Sequence, residues 1–191
     1  MSVWLAVAGA AGLAACGGGS PSRDPGQPEE RADPRGALPA GWTRVVNPRA
    51  GFSLGIPPGW TASGARGATL VRSGDRLLAV SITADRSPEG RELPPELYVR
   101  RIARGLAGYR GLRTGRPRPV RGGRYPGALV DATGTFARTR VRQAIRVIAL
   151  RRRGQVTYSL LFFRTARAPA RLYGAAMAGM VRTFRGAPPQ V

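Results

Sequence analysis

The sequence predicts an α+β domain with a largely antiparallel sheet, and three observations predict it. Short alternating strands come first, then a helix opening on Pro94-Pro95-Glu96. Three longer strand segments follow, and a last apolar stripe of helical spacing begins at Pro169. Strands, helix, strands, helix is an order suited to helices packed on an antiparallel sheet rather than to alternating crossovers.

Each element has its own signal. Residues 43–46 form a short strand, and Phe52, Leu54 and Ile56 alternate until Pro57-Pro58-Gly59 forces a turn. Residues 68–72 and 77–84 read as a hairpin with Ser73-Gly74-Asp75 in its turn. Proline pre-set for the first turn and Glu96 at the positive end favour the helix start. Tyr98, Ile102, Leu106 and Tyr109 line one face of that helix, with Arg100, Arg101 and Arg104 mostly elsewhere. A basic loop leads to strands at 128–136, 141–150 and 155–163. The closing helix carries the stripe Leu172, Ala176, Met180 and Phe184.

The central hairpin even has a predicted register. With Arg138-Thr139 in the turn, Val130 falls opposite Val147, Ala132 opposite Ile145 and Phe136 opposite Val141, all on one core-facing side. Asp131 then meets Arg146 and Thr135 meets Arg142 on the other. A slip of one residue would mix the two faces. In the next strand Val156, Tyr158, Leu160 and Phe162 take one face while Leu161 and Phe163 take the other. Apolar residues on both faces imply a sheet covered, at least in part, on both sides.

Composition narrows the chemistry. Among 191 residues there are 31 basic side chains, every one arginine, against 10 acids, with no His and one Cys. No imidazole base, no Ser-His-Asp triad, no Schiff-base lysine, no intramolecular disulfide and no thiolate metal cluster can be built. No cofactor and no metal is implied. Arginine in place of lysine, with abundant Ala, Gly and Pro, is what a GC-rich genome produces. That does not account for the scarcity of acids: residues 42–185 hold 28 Arg and six acids. Such a field attracts polyanions.

The N-terminus reads as an export signal. Residues 3–13 (VWLAVAGAAGL) are an apolar run of eleven, too short to span a bilayer and suited to a signal-peptide core, though Met1-Ser2 lacks the usual basic residue. Leu13-Ala14-Ala15-Cys16 resembles the bacterial lipobox, in which the Cys16 thiol becomes the lipid thioether. Residues 1–15 are thus an expected signal peptide and residues 16–41 a lipidated Cys with a Pro/Gly-rich linker. The 25 linker residues 17–41 have an r.m.s. reach of roughly 25–30 Å. A domain over 42–185 and a tail over 186–191 complete the division. The expected location is outside the cytoplasmic membrane, on a lipid anchor.

The segment FSLGIPPGW (Phe52 to Trp60), a first helix after about four strands, long strands, and a closing amphipathic helix running into Thr183-Phe184 resemble the Mog1/PsbP-like fold. With a lipobox in front, the chain is similar to the LpqN-type lipoproteins of actinobacteria. The resemblance covers roughly residues 42–185. It implies an α/β/α sandwich serving as a binding or accessory module, usually without catalysis. Photosystem accessory proteins and a nuclear-transport cofactor share the fold, so partners do not transfer.

Candidate residues follow from this background. Gly51-Phe52-Ser53-Leu54-Gly55 matches the nucleophile-elbow pattern, but it lies in a strand and the chain has no His. Glu89, Glu92 and Glu96 read as an acidic helix approach rather than a Ca²⁺ site. Trp42 is expected to close the core edge and Trp60 to plug it. Trp60, Tyr98, Tyr109 and Tyr158 are the candidate pocket aromatics. The candidate anionic-ligand surface is Arg113, Arg116, Arg118, Arg121 and Arg124 in a Pro/Gly-rich loop and strand, with Arg151-Arg152-Arg153 in a turn, because arginine suits phosphate bidentately. Aromatics do not interleave with them, which argues against nucleic acid.

The leading expectation is a membrane-anchored, non-catalytic binding or accessory module with an envelope protein as partner. One alternative is an electrostatic adaptor for anionic lipid or envelope polymer. Another is a hydrolase or transferase using carboxylates alone, with Asp131 or Asp75 as actors. Two convergent carboxylates would favour the enzyme, an apolar cleft ligand binding, and a flat basic face the adaptor. The anchor is tested directly: Cys16→Ala should abolish the lipid mass increment and move the protein to the aqueous phase of a detergent partition. An unchanged mass and partition would refute it.

Overall fold

Proline and glycine set where the strands stop. The computed structural model describes residues 37–65, 67–152 and 154–186; the expected signal peptide, Cys16, most of the expected linker, most of the expected tail and Arg153 lie outside them. The elements run β1 (Thr43–Asn47), β2 (Phe52–Ile56), β3 (Thr61–Ala65), β4 (Ala68–Arg72), β5 (Leu78–Asp85), α1 (Pro88–Glu92) and α2 (Pro95–Arg104). The second half runs β6 (Tyr109–Thr114), β7 (Arg118–Gly122), β8 (Tyr125–Phe136), β9 (Val141–Arg152), β10 (Val156–Thr165), α3 (Ala170–Arg182) and β11 (Arg185–Gly186).

An eight-stranded sheet in the order β3-β4-β5-β10-β9-β8-β6, with β7 also pairing with β8, forms the centre. A small sheet, β1-β2-β11, packs on one of its faces. Every pairing is antiparallel. The β8–β9 register is the predicted one: Val130 pairs with Val147, Asp131 with Arg146, Ala132 with Ile145, Thr135 with Arg142 and Phe136 with Val141.

The two sides of the large sheet are packed separately. On one side Val130, Ala132, Ile145 and Val147 meet Tyr98, Val99 and Ala103 of α2. On the other, Ile148, Leu150, Tyr158, Leu160 and Phe162 meet Phe52 and Leu54 of the small sheet and Tyr173, Met177 and Met180 of α3. The result is the α+β sandwich expected, with helices on both sides and the small sheet beside α3.

Several expectations change in detail. The stretch read as a basic loop holds β6 and β7, and β3 precedes the expected hairpin, so five strands and the short α1 come before α2. Helix α2 stops at Arg104, before Gly105, so Tyr109 belongs to β6 and the burial falls on Val99 and Ala103, while Ile102 and Leu106 are half-buried. In α3 the buried stripe is Tyr173, Met177, Met180 and Val181, with Phe184 just past the end, and Leu172 is 64% exposed. Tyr173 displaces Leu172 because its ring reaches Trp60, at 6.1 Å between centroids, and its hydroxyl donates to Asp75.

Trp42 closes the core edge as expected. Its ring lies against Gly179 of α3, where an added Cβ would fall inside van der Waals contact, and against Gly55 of β2. Leu38 also packs on Gly55, so the packed part starts slightly before Trp42. Thr183 Oγ1 accepts from the Gly55 N–H at 2.9 Å and donates to the Gly179 carbonyl, tying α3 to β2. In the full chain, Gly179→Ala gains about 1 kcal/mol of helix propensity but overpacks Trp42 by about 1–3 kcal/mol. The expected outcome is a lower thermal midpoint. A raised midpoint would show that Trp42 does not seal this edge.

Candidate functional site

Alternation along a strand and pairing across it decide which arginines share a surface. In β8 the residues Leu129, Asp131, Thr133 and Thr135 face the α3 side, and their β9 partners Ile148, Arg146, Ala144 and Arg142 do the same. Leu129 and Ile148 are covered, whereas Thr133 and Arg142 are exposed. Helix α3 lies over β2 and β7, away from this end of the sheet.

Two outer strands extend the uncovered area. Arg118 of β7 pairs with Leu129, while in β6 Arg110 pairs with Thr135 and Arg113 with Thr133. A bulge between Arg110 and Arg113, at Gly111 with φ +60°, puts both on the same side despite their odd spacing. Arg110, Arg113, Arg118, Arg142 and Arg146 therefore share one open sheet face. It spans two strand spacings and six residues, about 10 by 20 Å.

Asp131 sits among them. Its Oδ1 accepts from Arg146 Nε at 2.7 Å, and its Oδ2 from a second Arg146 nitrogen at 3.1 Å and from Arg118 at 2.6 Å. The Arg118 side chain is 62% exposed and that of Arg146 34%. The other acids of the described residues lie in the β4–β5 turn, at the end of β5, and along α1 and α2.

The structure separates the sequence candidates. Arg113 and Arg118 are on the open face, Arg121 pairs with Pro126 and points to the opposite side, and Arg116 is exposed in the β6–β7 link. Arg124 lies over the Tyr125 ring, 5.5 Å from its centroid. Arg151 and Arg152 are not in a turn: they end β9 and alternate to opposite faces. Arg151 donates to the carbonyls of Arg91 and Leu93 at the end of α1, so it is a structural clasp rather than part of an open cluster. Arg153 lies outside the described residues.

The four candidate aromatics do not form one pocket. Trp60 and Tyr158 belong to the α3 side and Tyr98 and Tyr109 to the α2 side. Their hydroxyls are engaged: Tyr158 with the Gly51 carbonyl at 2.8 Å, Tyr98 with Asp85 at 2.8 Å, and Tyr109 with Gln143. A groove of about 560 Å³ runs between β1 and the β3–β4 hairpin, lined by Val45, Val46 and Arg49 among others and crossed by Asn47, whose amide donates to Thr69 at 2.9 Å.

The carboxylates do not converge. Asp75, in the β4–β5 turn, and Asp131 are at least three strand spacings apart, about 14 Å, beyond the roughly 5–10 Å of catalytic carboxylate pairs. Asp75 accepts from Ser73 Oγ at 2.6 Å, the Leu77 N–H at 3.0 Å and Tyr173. Ser73 foremost, then Tyr173 and the backbone, hold its carboxyl below the usual carboxylate range. At Asp85 burial pushes upward, but the hydrogen bonds from Ser87 and Tyr98 and the nearby Arg101 leave it below the ordinary value. Ser53 of the elbow-like segment accepts from Arg44 within β2's pairing with β1. Glu89 pairs with Arg101 at 2.5 Å. No group of three metal-ligating side chains occurs among the described residues.

Arg110, Arg142 and Arg146 were absent from the sequence-derived surface. The latter two were legible as register partners of Thr135 and Asp131. Arg110 was hidden by the bulge.

The fold has solved counterparts. No family model matches the sequence, and no curated protein sequence matches it. The structure is similar to the Ran-binding protein Mog1p of Saccharomyces cerevisiae, with a TM-score of 0.56 at 11% identity over 76% of this chain and 95% of that one. It is similar to cyanobacterial PsbP (CyanoP) of Synechocystis sp. PCC 6803, with a TM-score of 0.52 at 12% identity over 79% and 95%. LpqN, involved in cell envelope biogenesis of Mycobacterium tuberculosis, matches with a TM-score of 0.47 at 11% identity over 83% and 88%. A Bacteroides thetaiotaomicron protein also matches at 0.53 and 12%, and there this chain spans 49% of the other's length. The chain has the Mog1/PsbP-like fold.

Burial first, and then the Asp85 carboxylate, push the Tyr98 hydroxyl up to about 12. Folding therefore favours the neutral phenol, and that stability is intact below the ordinary value near 10 and lost as pH rises from about 10 to 12. Urea unfolding across this range should show falling stability, with a shallower fall in Tyr98→Phe. An identical pH slope in the variant would remove Tyr98 from this role.

Proposed function

We propose that this chain is an extracytoplasmic lipoprotein, held to the membrane through Cys16, whose domain is a non-catalytic binding module for anionic components of the cell envelope. The observation that carries this reading is the open sheet face with five arginines and one carboxylate. The aromatics and the other aspartates are engaged in packing and turns, and the sequence-level anchor supports placement at the membrane. The linker is long enough to let the domain turn this face toward its target.

Each arginine near an anionic surface contributes on the order of 1 kcal/mol, within a Debye length of about 10 Å at 0.1 M salt. The test uses the full chain carrying Cys16→Ala, so that no acyl chain contributes. Expected is binding to anionic vesicles or to polyphosphate that salt abolishes. Replacing Arg110, Arg113 and Arg142 by Gln should weaken it by on the order of a hundredfold. Absence of binding to any polyanion at low salt refutes the reading.

A further inference from the structure

Resting on the anion-binding reading above, we infer that the open arginine face docks on an anionic phospholipid bilayer, with Asp131 as a built-in counter-ion that limits its affinity. The geometry of the face selects the partner. The arginines stand in two rows on either side of β8, with Arg110, Arg113 and Arg118 on β6 and β7 and Arg142 and Arg146 on β9, and Asp131 lies between the rows on β8. The side chains between them are the small Thr133 and Ala144. On this bare end of the sheet the guanidinium groups therefore stand above the side chains between them. Spread over about 10 by 20 Å, five such groups match several phosphates of a bilayer surface better than a single one. Exposed Arg138 and Arg140 in the β8–β9 turn continue the basic strip at one end.

Asp131 already occupies the position that a lipid phosphate would take. Both of its oxygens are filled by guanidinium donors, bidentately from Arg146 and singly from Arg118. Arg118 is the more exposed of the two, so its side chain can turn from Asp131 toward a phosphate while Arg146 stays in place. The carboxylate thus keeps two arginines ordered and pre-spaced, and competes with the lipid for one of them.

Co-sedimentation of the full chain carrying Cys16→Ala separates the possibilities, using vesicles of phosphatidylglycerol in phosphatidylcholine and of phosphatidylcholine alone. Asp131→Asn removes the competing charge, and Glu96→Gln removes the same charge from the opposite side of the sheet. Asp131→Asn should strengthen binding to the anionic vesicles about fivefold more than Glu96→Gln does. Equal gains would reduce the effect to net charge and overturn the role of Asp131. The docking face is tested independently of any variant at Asp131: Arg110→Gln with Arg142→Gln should lose more binding than Arg100→Gln with Arg104→Gln on α2. Equal losses overturn the face assignment. Binding of the Cys16→Ala chain, with its arginines and Asp131 intact, to polyphosphate but not to vesicles overturns the bilayer as partner and leaves the anion-binding reading standing. Binding to neither removes both.

Discussion

Four aromatic rings hold this domain together. Tyr158 of β10 lies 5.0 Å from Phe184, 6.2 Å from Phe52 and 6.2 Å from Tyr125, and Phe52 stacks on Phe184 at 5.9 Å. The rings come from the large sheet, from β2 and from the turn after α3, so one contact set joins parts distant in sequence. Two hydroxyls complete it: Tyr158 donates to the Gly51 carbonyl and Tyr125 to that of Gly186, both at 2.8 Å. A buried phenol without a partner costs about 1–3 kcal/mol. The small sheet is thus tied to the large one at the turn into its central strand β2 and at its edge strand β11, and an alternative seat would leave these hydroxyls unbonded.

That seat controls what stays open. Because α3 must deliver Phe184 to the ring cluster, it leans toward β7, with Gly123 near the Phe184 carbonyl at a backbone φ of +56° that only glycine adopts freely. The helix then leaves the β6, β8 and β9 ends bare on the same side. Helix α2 covers their reverse with Val99 and Ala103. The arginine face is therefore a consequence of the aromatic core: packing that closes one half of the sheet exposes the other.

The same arrangement explains how so basic a domain folds. Most of its arginines are exposed, where water and counterions screen them. Several of those drawn inward serve carbonyls or a carboxylate: Arg151 the end of α1, Arg164 the Ala168 carbonyl at 2.6 Å, and Arg146 the Asp131 carboxylate. Arginine suits this work because its planar fork stays charged while its stem lies on apolar surface. The clustering of five on one bare face comes from register and from the bulge at Gly111.

Much of this was readable beforehand. Alternation in residues 128–150 admits one register that keeps the faces unmixed, so the Asp131–Arg146 pair followed from the pattern and the turn. That Trp42 closes a core edge was also legible from its place just before the first strand, whereas Gly179 as the residue it covers came only from the packing of α3. The start of the closing stripe was misassigned by one position, Leu172 and Ala176 for Tyr173 and Met177, and only the Asp75 and Trp60 contacts choose Tyr173; Met180 and Phe184 are buried as read. Strands β6 and β7 were missed because Gly, Pro and Arg dominate them, and their place comes from pairing with β8 rather than from propensity. Residue order by itself determined the coarse strands–helix–strands–helix order, the β8–β9 register and the excess of arginine. Only the tertiary structure decided which arginines act together, because the bulge at Gly111 and the lean of α3 arise from contacts between segments far apart in the chain, and no local period encodes them.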